Sequence, residues 1–264
     1  MNAAIWRWFD RHAWPVIHRL EADQVVEQLV AAGVKRLVGL AYSHVPGMAA
    51  ELNNFMRAVA DRHAPHVIPF GTVLPGEDGW APELERCFGP LRLAGLKIHC
   101  HVQNLTPDDP RLLPIIERVA HHNKVLLIHC GREPNLHGYQ ATPRDLCSVE
   151  RFYEAMKRTP EAKVIVPHLG ADETDAYLDL LAQFPNLYLD TAMALGSPLN
   201  THPHLAGFRP DFGRLAQAAD RILFGTDFPN LPYPWATELE LLRAHLAPEA
   251  LGKVLEGNGA RLFA

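Results

Sequence analysis

Five polar residues stand at the ends of apolar runs, and their types define the chemistry open to this chain. Lys97 and His99 close Gly95-Leu96-Lys97-Ile98-His99, and His129 closes Leu126-Leu127-Ile128-His129. His168 follows Val164-Ile165-Val166-Pro167, and Asp227 follows Leu223-Phe224-Gly225-Thr226. A glycine or proline stands two residues after His129, His168 and Asp227, so each opens a turn. Imidazoles and a carboxylate are ligands for zinc-like ions and are equally general acids and bases. A lysine among them is a cation for a carboxylate or an oxyanion.

Each residue also has a plainer reading. His129 is a metal ligand or a buried histidine bonded to backbone, and spacing alone leaves the two open. The same pattern one unit later, at His168, favours function: metal binding or proton transfer rather than a turn histidine. Pro167 lacks a backbone donor and ends the strand there. Asp227 could bind a metal and take a proton from its water, or merely form a turn before Pro229; the company it keeps favours chemistry. Lys97, His99 and His101 alternate, so on a strand they share a face, with Cys100 opposite. Lys97 could hold a substrate carboxylate, pair with Asp227, be carbamylated between two metals, or form an ordinary internal ion pair. His99-Cys100-His101 alone is a weak zinc signal. His44, in Tyr42-Ser43-His44-Val45-Pro46-Gly47, and Arg132 with Glu133 suit substrate contacts, although loop surface is the commoner explanation for such residues. His121, His122, His202 and His204 read as solvated.

Stepping strands must carry these residues. Short apolar runs bounded by turn formers predict strands at 35–42, 67–73, 94–99, 124–129, 163–168, 186–190 and 221–226. Amphipathic spacing predicts helices at 21–32, 48–63, 82–88, 110–122, 145–158, 172–184, 214–219, 235–246 and 248–263. Gly33 and Gly89 sit where helix ends belong. Regular alternation of strand and helix means a parallel sheet. In a (β/α)8 barrel the strand ends converge on one site. Two longer inserts, 132–144 and 191–213, fall on that side. No linker, repeat or low-complexity tract divides the chain, so residues 1–264 read as one barrel domain. Only seven strands are visible, and no strand precedes the helix at 21–32, so the chain is expected to begin inside the fold or to form an open sheet.

Composition narrows the partners. The chain has 264 residues, 48% hydrophobic and 21% charged, enough for a sizeable core. Its 25 Lys and Arg against 30 Asp and Glu give a net charge of −5, which argues against nucleic acid and anionic membranes. No apolar run approaches the roughly 18 residues of a membrane span. The first 20 residues lack a signal-peptide pattern, so a cytoplasmic location is expected. Cys87, Cys100, Cys130 and Cys147 have no paired spacing and read as reduced thiols.

Taken together, the chain resembles the amidohydrolase superfamily, in the branch of metal-dependent hydrolases that also contains decarboxylases. The resemblance runs from Gly33-Val34-Lys35-Arg36 through the Lys97, His129, His168 and Asp227 segments to Gly257-Asn258-Gly259-Ala260-Arg261-Leu262-Phe263. It implies a TIM-like (β/α)8 barrel and a divalent metal: zinc, with manganese and iron as the other candidates. It implies His129 as the metal ligand after the family's fifth strand and Asp227 as ligand and proton acceptor after the eighth. His168 would be the sixth-strand histidine, binding metal or assisting proton transfer, and Lys97 would join it in stabilising an oxyanion. His44, His99 and Arg132 would contact a small-molecule substrate. The expected reaction is hydrolysis of an ester, lactone or amide, or else non-oxidative decarboxylation of an aromatic or unsaturated acid.

One departure matters. The family's first strand ends in a His-x-His metal pair, and nothing before Glu21 matches it, since His12 and His18 lie six apart. The barrel is therefore expected to lack its first strand, and the metal can be absent from this chain. A truncated, non-catalytic barrel is the rival from another class, and a homodimer covering the open seam is a further expectation.

Overall fold

The computed structural model describes residues 2–11, 14, 16–132, 146–195 and 210–264. Among them seven parallel strands pair in chain order: β1 (Leu37–Gly39), β2 (Val67–Gly71), β3 (Gly95–His99), β4 (Val125–His129), β5 (Lys163–Val166), β6 (Leu187–Asp190) and β7 (Ile222–Leu223). Two helices, α1 (Asn2–Arg11) and α2 (Ala22–Ala31), precede β1, and helices such as α3 (Ala49–Arg62) and α4 (Trp80–Phe88) link successive strands, as parallel crossovers require. None of the described helices is long and apolar enough to cross a membrane.

Strand alternation sorts the side chains into two layers. Leu96, Ile98, Leu126, Ile128, Val164, Val166, Leu187 and Leu189 pack outward with helix residues such as Leu84, Ile115, Phe152 and Tyr177. Phe70, Val125, Leu127, Ile165 and Leu223 point inward and form their own cluster. β2 and β7 are five strands apart in this order, roughly 24 Å in a flat sheet at about 4.8 Å per strand. Their shared cluster therefore requires the sheet to curl until its inner faces meet. Burial on both faces explains why the run at β4 is apolar up to His129.

The curl does not close among the described residues: β1 pairs only with β2, and β7 only with β6. A cavity of about 1700 Å3 runs from the C-terminal mouth of the sheet into this seam, between Val26, Leu29 and Val38 on one side and Leu223, Val254 and Phe263 on the other. Trp6 and Phe9 of α1 also line it.

Three expectations change in detail. Residues 2–11, which neither alternate nor run apolar, are helical as α1. Beyond α1, the Trp14 indole N–H donates to the Asn230 carbonyl at 3.0 Å and the Ile17 N–H to Leu231 at 3.2 Å, tying the chain start to the loop after β7. The edge strands are shorter than expected, 37–39 instead of 35–42 and 222–223 instead of 221–226. The helix expected at 248–263 is broken into Pro248–Gly252, a π turn at Lys253–Gly257 and Asn258–Leu262. Its three interior glycines, Gly252, Gly257 and Gly259, weaken it. The buried Asn258 amide donates to the carbonyls of Ala219 and Ile222 at 2.7 and 2.6 Å, pinning the last segment to the start of β7.

Candidate active site

The site is built at the C-terminal ends of β3 to β7. Lys97 and His99 both face inward from β3, and register sets His99 beside His129 of β4. The two imidazoles stack, with centroids 3.8 Å apart and planes 14° from parallel. The His129 ring lies 4.6 Å from His168 and 5.6 Å from His101. Lys97, His99, His101, His129, His168, Asp190 and Asp227 all line the cavity. Strand alternation does not carry on to His101, because β3 ends at His99 and Cys100–Gln103 is a helical turn. That turn is held by Gln103, whose side chain accepts from the His99 N–H at 2.9 Å. His101 nevertheless reaches the cluster and is 1% exposed, with Nε2 donating to the Gly131 carbonyl at 3.2 Å.

His168 and Asp227 adopt left-handed backbone angles, φ 57° and 60°. This conformation costs an L residue about 1–2 kcal/mol, and such strain is concentrated at functional sites. At both positions the chain leaves its strand direction while the side chain stays on the cavity wall.

The His168 ring has a defined tautomer. Its Nδ1 lies 2.6 Å from the Ala192 carbonyl oxygen, which can only accept, so Nδ1 carries the hydrogen. In the neutral ring Nε2 is then a bare lone pair, a proton acceptor and not a donor to an oxyanion. Donation from Nε2, the part expected of His168 in oxyanion stabilisation, needs the imidazolium.

Burial sets the charges. It pushes His129 well below the ordinary histidine value, reinforced by His168, Lys97 and His101, so this imidazole is neutral at pH 7. Burial also lowers Lys97 to about 8, against the opposing pull of Asp227 and Asp190. Asp190 is raised by burial, although His168, the Ala192 N–H and Lys97 favour its ionised form. Its Oδ1 accepts from the backbone N–H of Ala192 at 2.9 Å and of His168 at 3.2 Å.

His44 is exposed on the cavity wall, consistent with a place near a ligand. Arg132 does not line the cavity. Its guanidinium pairs with Glu173 at 3.2 Å and Glu150 at 3.4 Å, which hold the cation away from the mouth. Glu133, His202 and His204 lie outside the described residues.

Two functional-looking carboxylates escaped the sequence reading. Asp190 ends the expected strand 186–190, so the rule that selected Asp227 selects it too. Glu238 is fully buried, accepting from the Tyr233 hydroxyl at 2.6 Å and the Leu195 N–H at 3.1 Å. It lies inside a helix, and nothing in its local sequence marks it.

Imidazole and carboxylate donors suit zinc, manganese or iron. Their arrangement does not: among the described residues no group of three or more His, Cys, Asp or Glu is disposed to hold a metal ion. These residues alone therefore do not fit a resident ion, and the chemistry below rests on protein groups.

No curated protein matches the chain. Solved structures match its fold. An uncharacterised TIM-barrel protein from Bordetella bronchiseptica is 19% identical, covering 97% of this chain and 88% of that one, with a TM-score of 0.73. A 2,6-dihydroxybenzoate decarboxylase from Rhizobium is 18% identical over 92% of this chain and 88% of its own, TM-score 0.66. A dihydroxybenzoic acid decarboxylase from Polaromonas, solved with manganese and 2-nitroresorcinol, is 19% identical over 92% and 86%, TM-score 0.66. These likenesses identify the curled sheet as a TIM-type barrel. Residues 5–264 match the amidohydrolase family model, and the chain belongs to that family.

Proposed function

We propose that this chain is an enzyme that hydrolyses the carbonyl group of a small molecule: an ester, a lactone or an amide. The observation that carries the reading is the bare Nε2 of His168, created by its Nδ1–H bond to Ala192, in the same mouth as the Lys97 ammonium. His168 takes a proton from water as the water oxygen bonds to the carbonyl carbon. The carbonyl π electrons move to oxygen, and Lys97 stabilises that oxyanion. Collapse expels the alkoxide or amine, which takes its proton from the His168 imidazolium. Asp190 and Asp227 keep Lys97 charged against its burial. His44 and His99 are the substrate-facing residues of the wall.

Non-oxidative decarboxylation is the second reading, supported by the likeness to two decarboxylases. There the bond to the carboxyl carbon breaks, carbon dioxide leaves, and the electron pair left on the substrate carbon takes a proton from the His168 imidazolium. A substrate panel separates the two. Ester, lactone or amide cleavage that disappears in His168→Ala is expected. Carbon dioxide released from aromatic or unsaturated acids, without carbonyl cleavage, would replace hydrolysis by decarboxylation. No turnover of either kind would leave a ligand-binding barrel.

A further inference from the structure

His129 ends β4 and His168 opens the turn after β5, yet the backbone beyond them is joined more tightly than the sheet requires. β4 and β5 pair as far as Leu127 and Ile165. Past the histidines the two chains meet again, in an isolated parallel bridge between Arg132 and Ala171. The Asp172 N–H donates to the Arg132 carbonyl at 2.9 Å. Gly131 (φ 104°) lies against Gly170 (φ 80°) so closely that a Cβ on Gly131 would come within 2.5 Å of the Gly170 carbonyl oxygen. Below them the buried Tyr177 hydroxyl donates to Cys130 Sγ at 3.4 Å.

Glu173 closes this junction. Its carboxylate accepts from the Arg132 N–H at 2.9 Å and from the Val149 N–H at 3.1 Å, and it pairs with the Arg132 guanidinium at 3.2 Å. Its side chain is 9% exposed. One carboxylate thus fastens three pieces: the β4 extension three residues past His129, the first turn of the helix Val149–Arg158, and its own segment five residues past His168. A surface ion pair would contribute little here. A carboxylate buried to this extent and holding two backbone N–H groups cannot be removed without leaving those donors unsatisfied.

We infer that Glu173 is a positioning residue, which sets the separation of His129 and His168 by clasping the two strand extensions that bear them. It touches neither imidazole, and its influence passes through the Arg132–Ala171 bridge and the Gly131–Gly170 contact. The inference rests on reading His168, whose ring lies 4.6 Å from that of His129, as the proton-transferring group.

The test uses the full chain labelled with 15N-histidine, with the His129 and His168 ring signals assigned from His129→Asn and His168→Asn. Glu173→Ala is compared with Glu173→Gln, which keeps one acceptor, and with Glu150→Gln, which touches Arg132 only from the exposed side. The expected result is displacement of both ring signals in Glu173→Ala, a smaller displacement in Glu173→Gln and none in Glu150→Gln, at a temperature where all are folded. Turnover, once a substrate is found, should fall tenfold or more in kcat with KM changed less than threefold. If Glu173→Ala does not fold, the Gln variant alone decides. Ring signals unmoved in a folded Glu173 variant, whatever its melting temperature, would overturn the inference. The ring signals decide it even if the substrate panel shows no turnover, so its failure and that of the proposed reaction stay distinct.

Discussion

The arc from β3 to β6 and the seam between β1 and β7 are made of the same kind of chain, yet they differ in what they hold. In the arc the strands have neighbours on both sides; β3 and β4 are buried throughout their five residues each. At the seam β1 has three half-buried residues and β7 only two residues, both buried, and among the described residues each has a neighbour on one side only. Lys97, His99, His129, His168 and Asp190 belong to the arc, and Asp227 alone stands beyond the short edge strand β7. Register therefore positions His99 and His129, whereas His168 and Asp227 depend on left-handed turns, and Asp227 also on the Trp14 and Ile17 contacts that tie the next loop to the chain start. The lesson is that a barrel can organise most of a site before it closes, provided the turns after its paired strands are held in place.

Four predictions break or sharpen this contrast. The largest effect is catalytic. His168→Ala on the arc should lower kcat about a thousandfold, roughly 4 kcal/mol of transition-state stabilisation. Val38→Ala on the seam should stay within about threefold of the parent. Equal losses in a steady-state assay would show that the seam matters as much as the arc.

The next is stability. Leu127→Ala, buried in the inner cluster beside Ile165, should cost roughly 3–4 kcal/mol in urea unfolding. Leu37→Ala on β1 should cost below about 1 kcal/mol, since that side chain is only half-buried. A reversed order would mean that β1 carries the fold.

Third is pH. Lys97 has a folded pKa of about 8 against 10.5 unfolded, because burial disfavours its charge. The unfolded chain therefore binds the extra proton between these values, and stability rises with pH across that window. At 1.36 kcal/mol per unit the gain is at most about 3 kcal/mol. Unfolding measured from pH 7.5 to 10.5 should show this rise, and Lys97→Met should flatten it. A parent whose stability falls smoothly through the window would contradict the assignment.

The smallest effect concerns metal. With no three-donor group among the described residues, zinc, manganese or iron offered to the protein and then desalted should remain at well below one equivalent. The melting temperature should shift by less than about a degree. One tightly held equivalent, lost in His129→Ala and Asp227→Ala, would show that the donor set is completed elsewhere and would restore metal chemistry to the mechanism.

Much of this was legible in the chain. Every expected strand is present because burial on both faces leaves a short apolar run that local sequence displays. The polar residues closing those runs all line the mouth: strand direction sends Lys97, His99 and His129 there, and left-handed turns keep His168 and Asp227 on the wall. Arg132 does not line the mouth, because Glu173 and Glu150, 41 and 18 positions away, draw it aside. The α1 helix was missed because its apolar residues face a cavity wall assembled from distant segments.

The amino-acid order by itself determined the parallel alternation, the identity of the converging groups and the apolar register that turns Lys97 and His129 inward, because strand period and hydrophobic burial are local properties. Only the tertiary structure decided which nitrogen of His168 carries its hydrogen, how far burial shifts Lys97 and His129, and that Glu173 joins two strand ends. These depend on partners 24 to 130 residues away along the chain (Ala192 for His168, Asp227 for Lys97), whose proximity exists only once the sheet has curled.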